Sequence, residues 1–131
     1  MIVLKVICSL LALYGAFIIV FLWQAYKQGI FQNYSTVTTA LKIISTLIKA
    51  IFLLLCAWSA WQHPLLSPWF AWGAFAAFVI GGAADEIFHH GFISGFKRLI
   101  PTYYIGVSIH AFIAISIWLI VLKLSLGEAN G

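Results

Sequence analysis

The sequence predicts an all-α integral membrane protein in which four antiparallel transmembrane helices form an up-down bundle. Two observations carry this. Of 131 residues, 64% are hydrophobic and 8% charged, with a mean hydropathy of +1.09, and a soluble domain of this size needs more charge than that to cover its surface. The apolar residues also fall into four long runs, each meeting the ~20 residues that cross a hydrocarbon core.

The runs span about 2–26, 37–61, 69–90 and 103–126, so a single transmembrane domain over 1–131 accounts for the chain. The first run exceeds the ~7–15 apolar residues of a signal peptide and has no small-x-small cleavage site before Lys27, so it reads as a retained helix. The segments 27–36, 62–68 and 91–102 read as loops, and the tail after Leu126 as too short to fold. Trp58, Trp61, Trp69 and Trp72 surround the second loop and make an interfacial aromatic belt, to which His63 belongs.

The formal charge of +4 comes from basic residues that are scattered and mostly flank the apolar runs. Their expected partners are membrane lipids, not nucleic acid. Lys27, Lys97 and Arg98 lie in the first and third loops, with Lys42 near the start of the second helix, against Lys5 and Lys123 on the opposite side. By the positive-inside rule both termini are expected outside the cytoplasm, and the expected location is a bacterial inner membrane. Cys8 and Cys56 fall in the half nearest the termini, where free cysteines act as small apolar residues.

The densest chemistry is Asp85-Glu86-Ile87-Phe88-His89-His90, with two of the three acidic residues and two of the four histidines at the end of an apolar run. Ionisable groups in a bilayer are costly and need partners or a use. At ~1.5 Å per residue, Lys49 and Asp85 occupy the same half of the membrane, and His110 lies about 10 Å below Tyr103 in that half. Lys49, Asp85, Glu86, His89 and His110 are therefore candidates for one polar cluster at headgroup level. Asp85 shares a helix face with His89, and Glu86 with His90. The first pair is expected to face inward and the second toward the headgroups, with Gly81-Gly82-Ala83-Ala84 before them letting a neighbour approach the backbone.

Three chemistries use these residues. Asp85 with His89, His110 or Lys49 supplies an acid and a base for a catalytic site acting on a lipid or amphiphile. Asp85, His89 and His110, with Glu86 and His90 in reserve, suit zinc, iron, copper or a haem. The same groups also resemble a proton relay or a contact with a partner helix. Each has a plainer alternative: Lys49 snorkelling to headgroups, His110 as a packing residue, His90 as a helix-end residue, and Asp85 wetted by the third loop and neutralised by Lys97 or Arg98.

From Leu41 to Leu119 the chain resembles the first half of the lysoplasmalogenase-like (YhhN-type) family of polytopic membrane proteins. The resemblance rests on Ser45-Thr46-Leu47-Ile48-Lys49-Ala50, on Gly81-Gly82-Ala83-Ala84-Asp85, and on Tyr104-Ile105-Gly106 with His110. It implies hydrolysis of the vinyl-ether bond of lysoplasmalogens, with Asp85 as the catalytic aspartate. Here Ala84 replaces the family's Gly before the Asp, Ala50 replaces its Pro or Thr, the Gly106 to His110 interval is shorter, and the third loop is longer and more basic. Family members also have a second half with another aspartate, which implies that this chain acts as a homodimer or within a larger membrane complex.

Overall fold

In a computed structural model the chain forms α1 (Ile2–Lys27), α2 (Thr36–Gln62), a short 3-10 turn (Pro64–Leu66), α3 (Ser67–His90), α4 (Phe92–Lys97) and α5 (Pro101–Asn130). The structure describes residues 2–30, 32–97, 99 and 101–130; the side chains of Asp85, Phe96, Thr102 and residues 128–130 also lie outside the description. There is no strand among the described residues, and four helices are long and apolar enough to cross a membrane. The protein is an all-α, multi-pass membrane protein. α1 packs on α2, α2 on α3, and α3 on α5, whereas α1 and α5 touch little.

Local chemistry sets the boundaries. α1 ends at a turn in which Gly29 adopts φ 75°, and the Ile30 amide donates to the Ala25 carbonyl at 3.2 Å. α2 begins one residue before the expected start because Ser35 caps it, its hydroxyl accepting from the Thr38 amide at 3.1 Å. It closes where the His63 amide donates to the Ser59 carbonyl at 2.7 Å, just before Pro64. α3 starts two residues earlier than expected, since Pro68 in its first turn needs no amide partner.

Two segments expected to be irregular are helical. Residues 92–97, read from the sequence as loop, form α4, which folds back on α3 after Gly91 takes φ 81°. That reversal is tight: a Cβ on Gly95 would come within 2.7 Å of the Ile87 backbone. The C-terminal segment continues as helix to Asn130, so the residues after Leu126 extend α5.

The best-packed region is the half of the bundle that holds the termini and the 3-10 turn. Leu4 and Cys8 of α1, Cys56 and Ala60 of α2, Ala71 of α3, and Ala114, Ile117 and Val121 of α5 are buried together there. Polar groups in this half are satisfied internally. Ser59 donates to the Cys56 carbonyl at 2.8 Å and shares a 3.0 Å bond with Ser67, while the buried, free Cys56 thiol donates to the Ser67 carbonyl at 3.6 Å. Trp61 donates to Ser9 at 3.3 Å with the Lys5 ammonium 4.6 Å from its ring, and the rings of Trp58 and His63 lie 5.5 Å apart.

Candidate functional site

The other half of the bundle is built differently, and its centre is Lys49. This residue stands midway along α2, about 20 Å from either end of the helix at ~1.5 Å per residue. It is only 8% exposed. The stripe that turns inward on α2, Lys49, Leu53, Cys56 and Ala60, follows helical spacing, so the lysine occupies a core position that an apolar residue would normally fill. A lysine stem from there leaves the ammonium short of either end of α2.

Aromatic groups surround the ammonium. Lys49 Nζ donates to the Tyr14 hydroxyl at 3.5 Å, the long end of a hydrogen bond. It also lies 5.2 Å from the Tyr14 ring centroid and 4.8 Å from that of Phe78, within cation–π range of both. Tyr14 and Phe78 are themselves near the middle of α1 and α3. Gly15, next to Tyr14, permits this: a Cβ there would come within 3.1 Å of the Ala50 carbonyl oxygen and hold α1 away from α2.

His110 completes the centre from α5. Its ring stacks on Phe78 at 4.2 Å with an interplanar angle of 11°, and its Nδ1 lies 2.7 Å from the Gly106 carbonyl oxygen. A carbonyl oxygen only accepts, so this contact places a proton on Nδ1, and in the neutral imidazole Nε2 then carries the lone pair. Gly106 also makes room for Phe78, whose ring edge would lie 2.6 Å from a Cβ at that position. Phe78 thus separates a permanent donor, Lys49, from an acceptor, His110.

Two hollows flank this centre. One, of about 270 Å³, is lined by all four long helices, with Tyr14 and His110 as its polar residues and Leu11, Leu53, Ala74 and Ile113 among its apolar walls. It lies at the level where α1 and α5 fail to close on each other. The second, of about 220 Å³, lies between α2 and α3 and includes Lys42 and Lys49.

The polar cluster expected from depth is divided. Lys49 and His110 meet around Phe78, as the depth argument anticipated. His89 is elsewhere, with an exposed ring whose Nε2 lies 3.0 Å from the Thr38 hydroxyl at the start of α2. Phe78 and His89 are separated by about 16 Å along α3 at ~1.5 Å per residue. Helix rise places residues by depth, but it does not say which neighbour each face meets.

Glu86 and His90 pair on one face as expected, with His90 Nε2 3.6 Å from the carboxylate, both partly exposed. The Asp85 side chain lies outside the described residues, so its inward orientation, its pairing with Lys49 or His110, and the ligand set of Asp85, His89 and His110 lie outside them too. Its backbone position is defined by register. Gly81 abuts Ser45 and His89 meets Thr38, so position 85 is level with residues 41–42 of α2. Among the described residues no three His, Cys, Asp or Glu groups come close enough to hold a metal ion.

The small-residue patch does what its composition implies. A Cβ on Gly81 would collide with Ser45 of α2, and one on Gly82 with the ring of Tyr103 of α5, so α3 is held closely on two sides. Tyr14 and Phe78 were not among the residues singled out from the sequence. Tyr14 carried a readable signal, a tyrosine far from either interfacial belt; Phe78 carried none, being one of many apolar residues in its run. Comparison with known proteins finds no matching family model, no matching curated protein and no matching solved structure.

Proposed function

We propose that this protein is a small multi-pass protein of a bacterial inner membrane that binds a single-chain lipid or similar amphiphile, with Tyr14 and His110 recognising its polar end and Lys49 holding the Tyr14 hydroxyl from behind. The observation that carries this reading is the burial of Lys49 at mid-helix with no carboxylate beside it among the described residues. A charge in the centre of a bilayer helix costs roughly 2.5–3.5 kcal/mol on insertion scales, and a bound oxygen ligand is a use that offsets this. An apolar hollow with a few convergent polar groups is the usual form of a small-molecule site. A ligand oxygen accepts from the tyrosine hydroxyl, whose own oxygen accepts from Lys49, a ligand hydroxyl donates to neutral His110 at Nε2, and the chain lies against Leu11, Leu53 and Ile113.

Hydrolysis of the lysoplasmalogenase type is the proposed reaction, resting on the resemblance, with Asp85 as the acid and a second copy of the chain supplying the missing aspartate. Water adds to the vinyl-ether carbon bonded to oxygen, a proton goes to the other vinyl carbon, and the hemiacetal splits into a fatty aldehyde and a free hydroxyl. Position 85 is about 10 Å from Phe78 along α3, so recognition and chemistry separate in experiment. Asp85→Asn should abolish aldehyde release from a lysoplasmalogen while ligand binding persists, since an amide keeps the shape and loses the proton. Full activity in Asp85→Asn would end the enzyme reading.

A non-catalytic subunit that contributes to ion movement or holds a metal, a haem or a partner helix is the second reading. It expects no turnover, and metal or haem in the purified protein that is lost in His110→Ala. In either reading the termini lie outside the cytoplasm, and a cysteine at position 97 should be labelled from the cytoplasmic side alone.

A further inference from the structure

The hollow between α2 and α3 is not absorbed by the central cavity. Lys42 and Lys49, two turns apart on α2, both line it, with the Ser45 and Thr46 hydroxyl groups between them and Phe78 and Gly81 opposite. Two lysines therefore line one cleft of about 220 Å³ between a pair of membrane-spanning helices. Neither has a carboxylate partner among the described residues: Lys42 lies 5.4 Å from the Tyr34 ring, Lys49 is held as described above, and Glu86 is engaged by His90.

Depth points to what the cleft takes. α2, with 27 residues, is about 40 Å long, so it overhangs a ~30 Å hydrocarbon core by about 5 Å at each end. Lys42 is about 9 Å from the start of α2, hence a few Å inside the hydrocarbon boundary and within a lysine's reach of the phosphate layer. The cleft thus has one cation at the level where lipid phosphates reside and a second deeper in. Gly81, lacking a side chain, keeps the α3 wall low against Ser45.

We propose that this cleft is a binding site for the headgroup of a net-anionic phospholipid, one whose phosphate charge is not cancelled by an attached cation, with Lys42 as its principal partner and Lys49 supplying a second positive charge below. The site goes beyond the reading given above, because a lipid held there requires no reaction and no ligand in the central cavity. The experiment is native mass spectrometry of the full chain released from detergent with equimolar phosphatidylglycerol and phosphatidylcholine. The wild type should retain phosphatidylglycerol with a preference on the order of tenfold, the worth of one charge-assisted hydrogen bond. Lys42→Gln should reduce that preference to near parity, and Lys42→Arg should keep it.

Equal retention of the two lipids by the wild type would overturn the proposal. So would an equal loss in Lys97→Gln, which indicates attraction to surface charge in general, or displacement of the lipid by millimolar inorganic phosphate, which indicates a site for a free anion. Because Lys42 is tested alone, failure here leaves the central cavity standing, and loss of amphiphile binding in His110→Ala leaves this cleft standing.

Discussion

The two halves of the bundle solve different problems with the same helices. In the half that holds the termini, four helices close on Leu4, Cys56, Ile117 and Val121, and the hydroxyls of Ser59 and Ser67 satisfy each other. Toward the helix midpoints a lysine occupies a core position, one hollow lies between α2 and α3, and another reaches the edge of the closed core at Leu11, Ala71 and Ile113. Lipid tails are as apolar as a leucine side chain, so closure in a membrane comes from packing and hydrogen bonds rather than from escape from water. The first half has those interactions, and the second forgoes them where it keeps charge and space. Under the proposed function the open half holds the ligand and the closed half supports it.

The comparison can be broken in four ways, beginning with the largest effect. Gly81→Val should be the most damaging, because its side chain must enter space held by Ser45, and the α2–α3 contact is what holds the open half together. A loss of roughly 3 kcal/mol, the upper range for overpacking, is expected in reversible unfolding in detergent. Ile117→Ala attacks the closed half at a fully buried position and should cost roughly 2 kcal/mol. That is the low end for such truncations, since lipid rather than water is the reference and packing alone is lost.

Ser67→Ala removes one partner of a fully buried hydrogen bond and should cost about 1 kcal/mol, with Ser59 retaining its bond to the Cys56 carbonyl. His90→Ala should change stability by less than ~0.5 kcal/mol, because its pair with Glu86 is partly exposed and within one helix. A His90→Ala effect larger than that of Ile117→Ala would reverse the assignment of support to the closed half.

Much of this division was legible in the sequence, and the limits follow from physics. The four spans are readable because their apolar runs match bilayer thickness. Lys49 and His110 share a depth because antiparallel helices have a fixed rise. What depth does not encode is rotation about each helix axis, so His89 falls beside Thr38 rather than Lys49. Nor does composition reveal that residues 92–97 form a helix folded back on α3, since that depends on the positive φ of Gly91 and the closeness of Gly95 to Ile87. Phe78 belongs to the same class: its importance arises from stacking partners on two other helices, which no property of a phenylalanine in an apolar run announces.

The central claim is that Lys49 is retained for a ligand and not for the fold, and replacing it with methionine tests this directly. Methionine matches its length, packs adaptably and removes the buried charge. The account predicts that Lys49→Met unfolds at equal or higher stability, by up to about 3 kcal/mol, while losing the ability to retain a single-chain amphiphile. A loss of about 2 kcal/mol or more in Lys49→Met, with amphiphile retention unchanged, would contradict it and make the lysine a structural brace between Tyr14 and Phe78.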